Sequence, residues 1–130
     1  MKKIILTVAL VLNFQSALAA EAKPFSKNAF KSAISKGESF VVAFHSDSCG
    51  SCKIQKPNLE SALKEAPLES VEGLMANFES TNEFRKTLAK PVRGPSTILV
   101  FKNGQEVARI LGETSKEKIR NLIANAIKTN

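Results

Sequence analysis

Short runs of β-branched and aromatic residues alternate along this chain with longer stretches whose apolar positions recur every three or four residues. The first pattern marks buried strands and the second amphipathic helices. After a polar lead-in from Ala20 to Pro24, Ser26 caps a stretch to Lys36 with Phe30, Ala33 and Ile34 on one face and Gly37 as its stop, which predicts a helix. A strand follows from Ser39 to Phe44. A second helix is expected from Cys52 to about Ala66, with Leu59, Ala62 and Leu63 on its apolar face and a kink at Pro57, where a backbone donor is missing. Val71 to Phe78 forms a second strand interrupted by Gly73 and Asn77.

Ser80 and Glu83 have the spacing of a capping box, opening a short helix that turns Phe84, Leu88 and Ala89 inward. Lys90 to Ser96 is a loop rich in breakers. Thr97 to Phe101 is the strongest strand pattern, and Asn103-Gly104 is the preferred dipeptide of a two-residue hairpin returning from Glu106 to Leu111 before Gly112. Thr114 and Glu117 form a further capping box, and Ile119, Leu122, Ile123, Ala126 and Ile127 trace one buried face of a final helix. The order α, β, α, β, α, β-hairpin, α predicts an α/β domain with a central mixed sheet: parallel with right-handed crossovers, plus an antiparallel hairpin. The chain has no internal repeat.

The first residues change the picture of where this domain works. Met1-Lys2-Lys3 is a positive segment, Ile4 to Phe14 an apolar run, and Ala17-Leu18-Ala19 a small-x-small end, the pattern of a secretory signal peptide. The run is too short for the roughly 20 residues that span a bilayer, although a retained anchor is the alternative. Residues 1–19 are therefore expected to be removed, leaving 20–130 as one domain in the periplasm or outside the cell. No cysteine follows the cleavage site to carry a lipid.

The formal charge of +7 includes Lys2 and Lys3, and the remaining basic residues are interleaved with Glu60, Glu65, Glu69, Glu83, Glu113 and Glu117. Such interleaving describes solvated helix faces. Without Trp, Tyr or a nucleic-acid motif, nothing in the pattern supports nucleic-acid binding.

The candidate chemistry is concentrated in Cys49-Gly50-Ser51-Cys52, which holds both cysteines of the chain at the junction of a strand and a helix. Unpaired amides and the positive end of the helix dipole stabilise thiolate there, lowering a thiol pKa from about 8.5 to roughly 3.5–7.5. Cys49 is the candidate nucleophile, and Cys52 is placed to resolve a mixed disulfide. A purely structural bridge is the bland alternative, but closing so short a loop constrains the unfolded chain little.

In this setting the chain resembles the thioredoxin family over about residues 26 to 128. Cys49-Gly50-Ser51-Cys52-Lys53, Pro57, Val92-Arg93-Gly94 and Phe101-Lys102-Asn103-Gly104 carry the resemblance. It implies a thioredoxin-like fold and thiol-disulfide exchange with protein substrates. It also implies a substrate-binding loop, Gly94, Pro95, Ser96 and Thr97, opposite the cysteines and offering a backbone edge for strand pairing. Where the family has a cis-proline, this chain has either Pro95 shifted by one residue and cis, or Ser96 behind a trans bond. The departures are Ser48 and His45 in place of two tryptophans, and Ala43 and Met75 in place of a buried Asp and its Lys partner. Their joint loss leaves the proton relay of the second cysteine without a carboxylate.

An exported thiol-disulfide oxidoreductase with Cys49 and Cys52 as its redox centre and no bound cofactor is the leading expectation. The neutral Gly50-Ser51 dipeptide favours the reducing direction, which calls for a membrane-embedded redox partner; a disulfide oxidase is the alternative, and His45 could tune Cys49. The short chain favours a monomer. A copper or zinc carrier using Cys49, Cys52 and His45 is the second reading. A non-enzymatic peptide-binding domain is the third, and it gives no reason to keep both cysteines.

Overall fold

The computed structural model describes residues 22–128. The segment read as an export signal, and the boundary at residues 19 and 20, lie outside the described residues. Five strands form one sheet in the order β1-β3-β2-β4-β5: β1 Lys23–Pro24, β2 Phe40–His45, β3 Glu72–Asn77, β4 Thr97–Lys102 and β5 Gln105–Leu111. β2 is the middle strand. It pairs parallel with β3, Val42 opposite Leu74, and antiparallel with β4, Val42 opposite Leu99. Asn103 and Gly104 turn the β4–β5 hairpin at φ 51° and 77°, the positive values that a two-residue primed turn requires.

Period-two alternation divides the core between two faces. Phe40, Val42 and Phe44 face α1 (Lys27–Lys36) and α3 (Asn82–Thr87), and Val41 and Ala43 face α2 (Gly50–Leu63) and α4 (Lys116–Lys128). On the first side Phe30 meets Phe40, Phe84 and Phe101 edge-on, and Phe40 stacks on Phe101 at 4.9 Å. On the second side Leu59 and Leu63 from α2 and Ile119 and Ile123 from α4 are wholly buried. Gly73 explains itself here: a Cβ at that position would stand 2.9 Å from the Leu63 side chain.

α1 has the predicted ends, with Ser26 Oγ accepting the Ala29 amide and Gly37 left-handed at φ 66°. Other element ends differ from expectation. The lead-in contributes β1, a two-residue edge strand parallel to β3, and an edge is where a proline without an N–H is tolerated. α2 starts at Gly50 with Cys49 as its cap, and stops at Leu63, short of the Ala66-Pro67 pair. The box from Ser80 to Glu83 does not form. Asn77 accepts the Ser80 amide on its side chain and the Thr81 hydroxyl on its carbonyl, and this local turn displaces the cap.

At α4 the expected Thr114 cap is replaced by its neighbours: Ser115 Oγ accepts from Lys118, and Glu113 accepts the amides of Thr114 and Ser115. Leu122 is 45% exposed, on the flank of a stripe centred on Ile119 and Ile123, and Ala124 is buried instead.

α2 and α4 are also joined by charge. Glu65, just beyond the end of α2, receives both Lys116 and Arg120 from α4, and their hydrogen bonds hold its carboxyl below the usual range. A depressed pKa adds stability that is present above the unfolded-state value and is lost as pH falls through the folded value. Glu65→Gln should therefore lower the urea midpoint at neutral pH. The gap from wild type should close once acid has protonated Glu65 in both states.

Candidate redox site at the start of the second helix

β2 and β3 run parallel, so both end at the same rim of the sheet, and there the Phe78 amide donates to the His45 carbonyl at 2.8 Å. The chain then turns through Ser46 to Cys49, whose amide donates to the Ser46 carbonyl at 3.1 Å, and enters α2. Cys49 is thus the capping residue of a helix. Its Sγ accepts the Cys52 amide at 3.2 Å and lies 3.4 Å from the Ser51 hydroxyl. Cys49 and Cys52 form a disulfide with Cα atoms 5.3 Å apart. The two sulfurs differ in access, because Cys52 is 2% exposed while Cys49 is only half-buried.

Ala43 and Met75 are register partners on the sheet face that α2 covers, and both pack with its apolar cluster. No ionisable group replaces them at those positions. His45 is half-buried at the end of β2, with Nε2 3.7 Å from Asp47 and Nδ1 buried without a hydrogen-bond partner. Among the described residues no three His, Cys, Asp or Glu side chains gather as metal ligands. Of the three ligands in the carrier reading, the two sulfurs are bonded to each other, and His45 Nε2 lies toward Asp47.

The loop from Gly94 to Thr97 leads into β4 at the rim where β2 ends. The Ser96 amide donates to the Phe44 carbonyl at 2.8 Å, and the Ser96 carbonyl accepts from Gly112 and from Gln55 Nε2. Pro95 follows a trans bond; the cis bond among the described residues is Ala66-Pro67. Ser96 itself sits at φ 62°, an uncommon conformation for a residue with a Cβ, and these three hydrogen bonds hold it there. Its hydroxyl is buried without a partner.

The expected open backbone edge is accordingly narrower. Ser96 has committed both main-chain groups inside the fold, Pro95 has no N–H, and the Gly94 carbonyl accepts the Thr97 hydroxyl. Beside the loop lies a cleft of about 550 Å³ between Pro95 and Leu111, with Lys90 and Arg93 on its rim. A larger cavity of about 770 Å³ lies between α1 and the β4–β5 hairpin and includes no residue of the cysteine motif or this loop.

Three polar side chains that set this geometry escaped the sequence reading. Gln55, 3% exposed on α2, donates to the carbonyls of both Ser96 and Glu113. Arg85 donates to the carbonyls of Phe78 and Val92 while stacking 3.6 Å over the Phe78 ring. Arg109 donates to the carbonyls of Lys90 and Pro91, ahead of the loop. Only Gln55 left a trace, falling between Cys52 and Leu59 at the three- and four-residue spacing of the buried stripe.

A helix-capping sulfur, a buried second cysteine and a loop tied to the same helix through Gln55 make a thiol-disulfide site on a thioredoxin fold. The chain belongs to the thioredoxin family, whose model, described as Thioredoxin, matches residues 21–125. It is 33% identical over 101 residues to a thioredoxin of Chlamydia pneumoniae, covering 78% of this chain and 94% of that protein. It is 31% identical over 88 residues to a disulfide bond formation protein of Brevibacillus choshinensis, covering 68% and 73%. It is also 31% identical over 115 residues to bloodstream-specific protein 2 of Trypanosoma brucei brucei, covering 88% of this chain but spanning only 22% of that relative's length. The crystal structure of Trxlp from Edwardsiella tarda superposes with a TM-score of 0.73 at 27% identity, over 79% of this chain and 98% of that one. The protein is a thiol-disulfide oxidoreductase of the thioredoxin type, acting on protein thiols and disulfides.

Replacing Gln55 by Leu removes the donor shared by the Ser96 and Glu113 carbonyls. A loss of about 1–3 kcal/mol in unfolding free energy is expected by urea titration. Slower exchange with a disulfide substrate should accompany it, as the Ser96 loop is released.

Proposed function

We propose that this chain is an exported reductant of protein disulfides. The observation that carries the assignment of roles is the unequal access of the two sulfurs, with Cys49 half-buried at the helix cap and Cys52 2% exposed below it. In the dithiol form the Cys49 thiolate attacks one sulfur of a substrate disulfide, forming a mixed disulfide and expelling the other substrate sulfur as thiolate. Cys52 then loses its proton and attacks Cys49 Sγ, expelling the second substrate thiolate. Two electrons pass to the substrate and the Cys49–Cys52 disulfide forms. No bound cofactor enters the scheme.

The reducing direction is supported by the neutral Gly50-Ser51 pair, which adds neither charge nor imidazole to stabilise the Cys49 thiolate. Regeneration outside the cytoplasm then needs electrons from a membrane-embedded disulfide reductase, with the chain acting as a monomer. Export rests on the pattern of residues 1–19. The cleft at Gly94, Pro95 and Thr97 is the proposed seat of the substrate segment next to the attacked sulfur. The oxidase reading has one support of its own, the name of the Brevibacillus relative, a disulfide bond formation protein.

Cys49→Ala should abolish insulin reduction, whereas Cys52→Ala should accumulate a mixed disulfide with substrate; equal activity of either variant with wild type would sink the assignment. The measured reduction potential should lie nearer the thioredoxin value of about −270 mV than the roughly −120 mV of a strong oxidant, and a value at the second end makes the chain an oxidase. Protein recovered from outside the cytoplasm of expressing cells should begin at or near Ala20.

A further inference from the structure

Ser46 is the first residue beyond β2 and is 2% exposed, yet it carries a hydroxyl. That hydroxyl donates to Glu79 Oε1 from the turn after β3, and it lies 3.1 Å from the Ser48 hydroxyl. Because the Ser46 proton points to the carboxylate, Ser48 must be the donor of the second bond. The Ser46 carbonyl meanwhile accepts the Cys49 amide. One buried serine therefore joins a carboxylate to the turn that presents the attacking sulfur.

We propose that Glu79, held by Ser46, is a positioning and tuning residue of the redox pair: its negative charge opposes the Cys49 thiolate and biases the couple toward the disulfide, which makes the dithiol the stronger reductant. Ionisation of Glu79 at neutral pH is assured by its surroundings, since the Ser46 hydrogen bond and its own backbone amide keep its carboxyl below the usual range. Arg85 on α3 and His45 on β2 are the charged or titratable groups that act on it from the neighbouring elements, both favouring the carboxylate. Arg85 directs its guanidinium to the Phe78 and Val92 carbonyls, and His45 has Asp47 beside it. Glu79 is exposed at the rim, where its charge can repel a thiolate through solvent.

The inference rests on Cys49 being the attacking thiol, which the Cys49→Ala assay decides separately. Its own test is Glu79→Gln, which keeps an acceptor for Ser46 and removes only the charge. Following thiolate absorbance against pH at low salt, the Cys49 pKa should fall by roughly 0.3–1 unit, an approximately 2- to 10-fold rise in thiolate below the pKa, with a less negative reduction potential. The difference should shrink near 1 M salt, where the screening length is about 3 Å. Glu79→Asp, which keeps the charge, should stay close to wild type, and Ser46→Ala, which frees the carboxylate but keeps its charge, should shift in the same direction by less than Glu79→Gln does. Identical titrations of wild type and Glu79→Gln at low salt overturn the proposal. A lowered melting temperature in Glu79→Gln with an unmoved Cys49 titration also overturns it, reducing the contact to a structural brace.

Discussion

The main-chain hydrogen bond from Ser96 to the Phe44 carbonyl joins the loop before β4 to the last buried residue of β2. Its geometry follows from β2 being flanked on one side by a parallel neighbour and on the other by an antiparallel one. The parallel neighbour ends where β2 ends, the antiparallel neighbour begins there, and α2 starts one short turn beyond. Cysteines, loop and the Glu79 turn are therefore gathered at one rim by strand direction alone. Ser96, left-handed after a trans-linked Pro95, is kept at this rim by Gly112 and Gln55.

The electrostatics of the site follow from what that rim leaves apolar. Ala43 and Met75 lie on the α2 side of the sheet, where a charged pair would have to be desolvated and mutually satisfied. With neither present, positions 43 and 75 carry no charge, and the ionisable side chains near the strand ends, Glu79, His45, Asp47 and Arg85, are peripheral. Peripheral charges interact through solvent, so they adjust a potential by fractions of a pKa unit where a buried carboxylate shifts it by several.

The loop presents a second consequence of backbone bookkeeping. A strand-pairing surface needs alternating free N–H and C=O groups, and Ser96 has none to offer while Pro95 lacks a donor. The cleft between Pro95 and Leu111 therefore offers side chains rather than a free main-chain edge. Leu111 is 69% exposed there, and Lys90 and Arg93 line the same cleft.

Periodicity and local chemistry were enough to read the fold class, the strands β2 to β5, the helices α1 and α4, the turn at Asn103-Gly104 and the placement of the cysteines at a helix start, because each depends on neighbours within a few residues. The helix caps at Ser80 and Thr114 were misplaced for a related reason: several nearby side chains compete for the same amides, and small differences in geometry let Asn77, Glu113 and Ser115 win. Spacing alone places Leu122 inward, but which flank of a helical stripe is covered depends on the partner surface. The capture of the Ser96 backbone and the bond from Ser46 to Glu79 join residues up to 52 positions apart. No local pattern encodes such pairs. They exist only once the parallel and antiparallel registers of β2 have brought the strand ends together, and for that reason the sequence determined the chemistry of Cys49 and Cys52, and the tertiary structure decided what surrounds it.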